Sequence, residues 1–406
     1  METPPISLSN LAKTQSGEDP WDERFQAGCM QEAGSSQPLV FSPRSEYRVL
    51  RSAWGRSVLN GEPISCVGSK TFQPLAALEA LIGSKRPFIP AQLPSGAALP
   101  ESGCGWKNGR IPHLPEACQL ALLWKLIGKE EEANSLAAWL MGWIQEFPFF
   151  SLWSREDEYD EAEAYLSFSL FCRAVGDERL SASFLKKAPG PVDPFFLALA
   201  KLGPKLEPIG NSKDAWADPY LGLGYFRSAE KAAAMTLCGF GTSLGVFRSK
   251  DVEIRAMGPQ GFPLGNLESF GIDRQPDGSF MTGWTRLAAA PEVWMHLQAD
   301  LQEGKFGLKF VGLKPEEPIA FVFYVKAGSC AAEGQVFKPK SLQRYTGAAS
   351  SFSFRGKESQ LKIESGSSLK AQLIPLAGDG GFWGADFLLS FEIPPFASQV
   401  NFCILN

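Results

Sequence analysis

This sequence has few histidines and no closely spaced pair of cysteines, which limits the metal sites that it can form. The 406 residues include two histidines, His113 and His296, and eight cysteines, none of which forms a C-x-x-C pair. Structural zinc sites need cysteine and histidine ligands clustered at short spacing. The sequence therefore predicts no metal site and no cofactor. The scattered cysteines, several of them inside apolar runs, are typical of free thiols in a reducing compartment.

Long apolar runs, basic blocks and a leader sequence are lacking as well. No stretch approaches the roughly 18 apolar residues of a membrane-spanning helix. The net charge of −5 includes no block of basic residues, so we expect neither a membrane span nor a nucleic-acid partner. The first residues have no positive region followed by an apolar core, as a signal peptide would. We expect a cytoplasmic protein, with non-classical secretion left open and the oligomeric state undetermined.

The chain divides into regions of different composition. Residues 1–45 are rich in serine, glycine, proline and charge, and predict a flexible N-terminal segment. Residues 46–205 carry apolar residues at helical spacing, and residues 206–218 have the composition of a linker. Residues 219–406 consist of short apolar stretches separated by glycine, proline and aspartate turns. The fold class predicted is an α+β multidomain protein, with a helical-hairpin domain followed by a large antiparallel β-sandwich.

The stretch 103–150 predicts a helical hairpin at the centre of the first domain. Pro115 suits the first turn of a helix because its ring already fixes φ at a helical value. Gly128 is placed to end that helix in the left-handed conformation, and Pro148 is expected to stop the second helix. Neither helix can bury its apolar stripe alone, so the pattern requires further helices as neighbours.

The same pattern returns later in the chain. Residues 122–137 and 170–185 share an apolar run, a glycine, a charged triplet and then small and apolar residues. The candidate turn glycines are Gly83, Gly128, Gly176 and Gly203. We interpret this as a set of repeated helical hairpins with long loops between them; the alternative is that any amphipathic hairpin shows such a pattern.

Period-two alternation of apolar and polar residues marks the second half of the chain. It predicts about a dozen strands, which fit two stacked antiparallel sheets better than one small barrel. Residues 360–364 and 369–374 are predicted as two of these strands. The similar segments 224–228 and 245–249 lie a hairpin's distance apart, which predicts that they are adjacent antiparallel strands.

Helical hairpins followed by a large sandwich, over roughly residues 70–406, resemble the polysaccharide lyases of the heparinase II/III and alginate lyase type. The resemblance implies an incomplete α/α toroid joined to a β-sandwich, with a polysaccharide or oligosaccharide bound between them. It also implies β-elimination at a uronic acid. In that family tyrosine and histidine act as base and acid, while asparagine, glutamine or arginine neutralises the carboxylate.

β-Elimination needs the carboxylate charge offset, the C5 proton removed and the leaving oxygen protonated. The loop before the central hairpin and the segment before the next one supply residues of these types. The candidate catalytic residues are His113, Tyr159 and Tyr165. The candidate substrate-binding residues of the same segments are Trp106, Asn108, Arg110, Trp153 and Arg155. The alternative is that the first loop only caps the hairpin, with His113 solvated or bonded to backbone.

The second histidine belongs to a predicted strand. Trp294 and His296 would share one face of that strand, because side chains alternate between the two faces, and Val293, Met295 and Leu297 would share the other. Such a face predicts one wall of a sugar cleft, and the alternative is the ordinary polar face of a sheet.

These features together predict a carbohydrate-active protein, namely a polysaccharide lyase that acts on uronic-acid-containing glycans. One alternative is a non-catalytic glycan- or protein-binding protein of the same architecture. Another is a glycoside hydrolase, for which the acids of residues 156–161 offer a carboxylate pair. A solvated helix start would also explain those acids, since acidic side chains favour that position.

Overall fold

The computed structural model describes residues 21, 24, 43–60, 72–83, 88–99, 114–144, 161–188, 190, 192–209, 215–218, 220, 222–240, 243–259, 269–274, 280–287, 290–313, 318–376, 384–395 and 399–405. These residues form seven helices and sixteen strands, and the chain divides into two compact units. All of the described helices belong to one unit and all of the described strands to the other. Most of the predicted flexible segment 1–45 lies outside the described residues.

The helical unit contains the hairpins that the sequence predicts. The helices are α1 (Pro43–Asn60), α2 (Gln73–Leu81), α3 (Leu114–Leu126), α4 (Glu130–Met141), α5 (Glu161–Ala174), α6 (Glu178–Lys187) and α7 (Pro194–Leu202). Helix α4 ends at Met141, so the prediction that it continues to Pro148 is wrong. The chain leaves the helix at Gly142, where the amides of Gly142 and Trp143 bond back to Trp139 and Leu140 in a tight turn. No helix among the described residues has the length and hydropathy needed to cross a membrane.

Hairpins α3–α4 and α5–α6 turn in the same way. Gly128 and Gly176 have φ values of 78° and 85°, in the left-handed region that favours glycine. In both hairpins the amide after the glycine donates to a carbonyl five residues earlier, at 2.8 Å. Gly83 and Gly203 also have positive φ, 86° and 55°. The shared turn geometry supports the interpretation of α3–α4 and α5–α6 as copies of one hairpin.

Aspartate side chains define the starts of two helices. The Asp177 carboxylate accepts a hydrogen bond from the Leu180 amide at 2.9 Å, and the Asp193 carboxylate accepts one from the Phe195 amide at 2.8 Å. Pro194 follows Asp193 at the first helical position, where its missing amide proton has no partner to lose. These caps fix the first residues of α6 and α7.

Helices α1 and α7 approach each other at a glycine. A Cβ atom added to Gly55 would lie 2.3 Å from the Phe195 backbone nitrogen, well inside contact distance. Helix α3 also packs against α5, so the first helices of the two hairpins are neighbours.

The second unit is built on one large antiparallel sheet. Its strands are β1 (Ala215–Asp218), β2 (Leu223–Arg227), β3 (Lys231–Phe240), β4 (Ser243–Ser249), β5 (Val252–Pro259), β6 (Ser269–Arg274), β7 (Phe280–Leu287), β8 (Ala290–Asp300), β9 (Lys305–Val311), β10 (Ile319–Lys326), β11 (Ser329–Ala332), β12 (Gln335–Phe337), β13 (Tyr345–Arg355), β14 (Gln360–Pro375), β15 (Phe387–Ile393) and β16 (Val400–Leu405). Their order is β1-β2-β3-β4-β5-β10-β15-β14-β16-β9-β8-β7-β6, with β13, β11 and β12 continuing from β14 as a branch.

This sheet curves over its own inner face, so that it is nearly barrel-like. Phe306 of β9 and Phe321 of β10 belong to strands four positions apart in the sheet, yet their ring centroids are 6.0 Å apart. The ring of Phe402 lies 5.2 Å from that of Phe306 and 5.6 Å from that of Phe321. The prediction of a large antiparallel β domain is confirmed, and its facing layers are parts of one hydrogen-bonded sheet rather than two separate sheets.

One prediction about strand pairing and one about strand division are wrong. The segments 224–228 and 245–249 are not adjacent, because β3 lies between β2 and β4 and pairs with both. The segments 360–364 and 369–374, predicted as two strands, belong to the single strand β14, which β13 pairs along both halves.

Candidate functional site

Three of the ten candidate site residues fall within the described part of the chain: Tyr165, Trp294 and His296. The remaining candidates lie outside the described residues: Trp106, Asn108, Arg110, His113, Trp153, Arg155 and Tyr159.

A buried polar network joins three helices of the helical unit. Arg51 of α1 is 4% exposed and donates two hydrogen bonds to the Glu163 carboxylate of α5, at 2.6 and 3.4 Å. Gln119 of α3 donates to Glu163 at 3.2 Å and to the Ser167 hydroxyl at 2.8 Å. The Tyr47 hydroxyl donates to the Gln119 side-chain oxygen at 2.6 Å. We call Tyr47, Arg51, Gln119, Glu163 and Ser167 the helix network.

The charges of the helix network are held in fixed states. Burial lowers the pKa of Arg51, but the neighbouring carboxylates of Glu163 and Asp193 outweigh it and hold that pKa above its ordinary value. Burial raises the pKa of Tyr47 well above its ordinary value, since the phenolate would lose its hydration. Arg51 therefore stays charged and Tyr47 stays neutral near pH 7, and both side chains are almost inaccessible to a polymer from solution.

The helix network also ties together the starts of two helices that follow candidate segments. Helix α3 begins at Leu114, directly after His113, and α5 begins at Glu161, two residues after Tyr159. Gln119 contacts Glu163 within the first two turns of these helices. The described structure therefore brings together the helices into which His113 and Tyr159 lead.

Tyr165 lies on a different face of α5 from the helix network. Its ring stacks on Phe184 of α6, with centroids 6.1 Å apart and an interplanar angle of 22°. The Lys187 ammonium lies 5.9 Å from the centroid of the Tyr165 ring. Tyr165 thus packs within the α5–α6 hairpin, and the structure does not bring it to Glu163 and Ser167.

Trp294 and His296 share the outer face of the sheet, as the alternation predicts. Val293, Met295 and Leu297 point into the core, while Trp294 and His296 remain partly exposed. Cross-strand neighbours on β7 and β9 complete an outer-face cluster. We call this cluster the His296 strip; its members are Thr282, Trp284, Trp294, His296 and Lys309.

The imidazole of His296 is held by neighbours on both sides. The Trp284 ring lies opposite it on β7, with centroids 4.7 Å apart and planes tilted by 41°. Thr282 Oγ1 is 3.0 Å from His296 Nε2, within hydrogen-bond distance. Lys309 is the register partner of His296 on β9. Partial burial, and then the charge of Lys309, lower the pKa of His296 below its ordinary value, so the imidazole is uncharged at neutral pH.

An indole, an uncharged imidazole and an ammonium on one open face suit a charged sugar. The indole offers an apolar surface with a polar edge, as aromatic side chains do at many binding surfaces. The ammonium can offset a carboxylate, and the imidazole can donate or accept a hydrogen bond. Among the described residues, the His296 strip is where a candidate histidine, a candidate tryptophan and a cation come together.

Comparison with known proteins finds likeness at the level of solved structures only. No protein-family model matches the sequence, and no curated protein matches it. A heparan sulfate lyase from Pedobacter heparinus is similar with a TM-score of 0.46 and 9% identity, over 93% of this chain and 61% of that chain. A heparinase III structure is similar with a TM-score of 0.36 and 12% identity, over 91% of this chain and 59% of that one.

Another heparinase III structure has a TM-score of 0.32 and 9% identity, over 72% of this chain and 60% of that chain. This chain therefore spans about three fifths of the length of these lyases. Similarity of this degree assigns no activity, and the functional argument rests on the side chains described above.

Thr282, Trp284 and Lys309 are members of the His296 strip that the sequence did not single out. Thr282 and Trp284 belong to β7, which was not among the predicted strands, and Lys309 is one charged residue of a predicted strand. The alternation of Thr282 and Trp284 with buried Met281, Gly283 and Thr285 was the available signal. Their closeness to His296 depends on strand order and register, which alternation within one strand does not encode.

Proposed function

We propose that this chain is a carbohydrate-active protein that binds acidic polysaccharide at the His296 strip and cleaves it by β-elimination. The observation that carries the proposal is an uncharged imidazole 4.7 Å from an indole ring and opposite an exposed lysine, on the outer face of the sheet. In this proposal Trp284 and Trp294 contact sugar rings, Lys309 pairs with a uronic carboxylate and His296 forms a hydrogen bond to the polysaccharide.

The proposed reaction transfers one proton from carbon to a base and another to the leaving oxygen. The base takes the C5 proton of the uronic acid, the C4–O bond breaks, and a C4=C5 double bond forms in the product. His113 and Tyr159 are the proposed acid and base, and Asn108 and Arg110 the proposed carboxylate partners. Support comes from the helix network, which joins the helix that begins directly after His113 to the helix that begins two residues after Tyr159. Tyr165 has no part in this proposal.

The test is an ultraviolet assay for the unsaturated uronic product with alginate, polygalacturonate, hyaluronan, chondroitin sulfate and heparan sulfate. Wild type is expected to give rising absorbance on at least one polymer, and His113→Ala to lose it while still binding that polymer. Lys309→Met is expected to raise KM more than it lowers kcat, because Lys309 contributes binding. Absorbance that His113→Ala retains would remove His113 from the mechanism, and a flat trace on every polymer would contradict the lyase proposal.

Binding without cleavage is the second candidate, favoured by the position of the His296 strip on an open sheet face. It predicts a flat ultraviolet trace together with binding of an acidic polymer that Lys309→Met weakens. Release of reducing ends without ultraviolet absorbance would instead indicate hydrolysis, which leaves no double bond in the product.

A further inference from the structure

A groove continues the outer face of the sheet beyond the His296 strip. Its volume is about 380 Å³, and its lining residues come from the end of β8, the start of β9, the interior of β14, and β16 with the residue before it. Gln298 and Asp300 follow His296 on the same face of β8, at two-residue steps of about 7 Å each. The polar side chains that line the groove are Gln298, Asp300, Lys305, Glu364, Gln399 and Asn401.

The floor of the groove includes a glycine, which makes space for two side chains above it. Gly307 of β9 lies in register between Gln298 of β8 and Asn401 of β16. A Cβ atom on Gly307 would lie 2.2 Å from Gln399 Nε2 and 2.7 Å from Asn401 Oδ1. Both amide side chains therefore extend over the space that any other residue at position 307 would fill.

The amides of the groove offer donors and acceptors side by side. Gln399 Nε2 donates to Asn401 Oδ1 at 2.8 Å, which fixes the orientation of the two groups relative to each other. The Gln399 oxygen and the Asn401 amide nitrogen take no part in that hydrogen bond. Gln298 is exposed at the neighbouring strand position. Sugar hydroxyl groups both donate and accept, so they match alternating amide donors and acceptors.

The charges of the groove favour an uncharged ligand over an anionic one. Asp300 and Glu364 both line it, and each carboxylate accepts hydrogen bonds but cannot donate them. Glu364 pairs with Lys362, and Lys305 lies 3.5 Å from Glu303, so the nearby ammonium groups already have carboxylate neighbours. A uronic carboxylate placed here would meet two like charges, Asp300 and Glu364, against one ammonium, Lys305, among the described lining residues. A neutral sugar would instead donate hydroxyl protons to the two carboxylates.

We propose that the groove between Gln298 and Asn401 is a binding site for an uncharged saccharide unit. Gly307 leaves room for the Gln399 and Asn401 side chains to extend across the groove. The amides of Gln298, Gln399 and Asn401 bond the hydroxyl groups of the sugar, and Asp300 and Glu364 accept hydroxyl protons. None of the groove residues named here is assigned to proton transfer, and the proposal does not depend on the elimination reaction.

The test is calorimetric titration of the full chain with cellohexaose, xylohexaose, mannohexaose and maltohexaose, and with oligogalacturonate as the acidic comparison. Wild type is expected to bind at least one neutral hexasaccharide. Asn401→Ala and Gln298→Ala are each expected to weaken that binding about fivefold to tenfold, through loss of one or two hydrogen bonds. Gln335→Ala, an amide truncation at an exposed strand position away from the groove, is the matched control and is expected to bind as wild type.

Gly307→Ala gives a second, independent variant. The added methyl group displaces only the ends of two flexible exposed side chains, so we expect unchanged thermal unfolding and loss of neutral-sugar binding. Absence of binding to every neutral hexasaccharide, or equal affinity in wild type and Asn401→Ala, would overturn the proposal. His296→Ala is expected to keep neutral-sugar binding while weakening acidic-polymer binding, which separates this test from the outcome of the elimination assay.

Discussion

The two units of this chain place their polar side chains in opposite ways. In the helical unit, an arginine, a glutamate, a glutamine and a tyrosine are buried together in the helix network. In the sheet unit, the residues of the His296 strip and the groove lie on the outer face. That unit also buries polar side chains, namely Asp218, Thr236, Ser249, Arg255, Thr285 and Ser365. The contrast therefore lies between the helix network and the outer-face residues of the sheet.

The difference follows from the cost of removing charge from water. A buried ion pair is tolerated only when its remaining donors and acceptors are also satisfied, and losing one partner leaves an uncompensated charge. An exposed polar group keeps its water, so its loss hardly affects folding but removes a contact to a ligand. The residues of the helix network should thus be measurable through stability, and those of the His296 strip and the groove through binding.

The largest expected effect is on the stability of the helical unit. Arg51→Met leaves Glu163 buried without its bidentate partner, and we expect a loss of about 3–5 kcal/mol in the free energy of unfolding. Urea unfolding followed by far-ultraviolet circular dichroism measures it. Arg48 also contacts Glu163, at 3.7 Å, but its side chain is 51% exposed, so Arg48→Met is the matched control and should cost under about 1 kcal/mol. Equal losses in the two variants would contradict the comparison.

The next effect concerns the contact between α1 and α7. Gly55→Ala places a methyl group 2.3 Å from the backbone of Phe195, and we expect it to cost about 1–3 kcal/mol of stability because the two helices must separate. Ser57→Ala, on the same helix and partly exposed, serves as the control and should be near neutral. Thermal unfolding of the three proteins measures both. A Gly55→Ala protein as stable as wild type would show that α1 and α7 adjust without cost.

The third prediction concerns the outer face of the sheet, so the expected effect is on ligand binding rather than on stability. Lys309→Met is expected to change the free energy of unfolding by no more than about 0.5 kcal/mol. It should weaken binding of acidic oligosaccharide about fivefold, which corresponds to one exposed charge-assisted contact. Lys338→Met, at another exposed position of the same unit, is expected to change neither quantity. A large stability loss in Lys309→Met would show instead that this lysine stabilises the fold.

The smallest effect is a shift in protonation. The His296 pKa lies below its ordinary value through partial burial and then through Lys309, so Lys309→Met should raise it toward that value. Proton NMR titration measures the shift, and with two histidines in the chain His113→Ala completes the assignment. The pKa of His296 is higher in the unfolded state than in the folded state, so the unfolded state binds the proton first as pH falls. The stability contributed by His296 is therefore lost as pH falls below the unfolded pKa. A His296 pKa that Lys309→Met leaves unchanged would show that the two residues do not interact electrostatically.

Local sequence signals predicted much of the helical unit. The turn glycines at 128 and 176 act on backbone groups within a few residues, so their effects follow from the sequence alone. The predicted end of α4 at Pro148 was wrong, because the helix ends at Met141 and the chain turns at Gly142. The helix network was not predicted, because its members come from helices more than forty residues apart in the chain.

In the sheet unit, too, a local pattern could be predicted from the sequence and contacts between strands could not. Alternation along β8 placed Trp294 and His296 on the outer face before any neighbour was known. It did not show that Trp284 and Lys309 flank His296. The similarity of segments 224–228 and 245–249 suggested that β2 pairs with β4, whereas β3 lies between them. Strand order and register depend on the packing of the whole inner face, in which Phe306, Phe321 and Phe402 meet across the core.

Helix periodicity and strand alternation act over a few residues, so the sequence predicted most helices and the buried face of β8, although it missed β7 and misplaced the end of α4. Which polar groups meet depends on the tertiary structure. Arg51 reaches Glu163 from a helix far away in the chain, and His296 lies between Trp284 and Lys309 through the register of three neighbouring strands. Such contacts are set by the joint burial of many apolar side chains, a property of the assembled core that no short stretch of sequence contains.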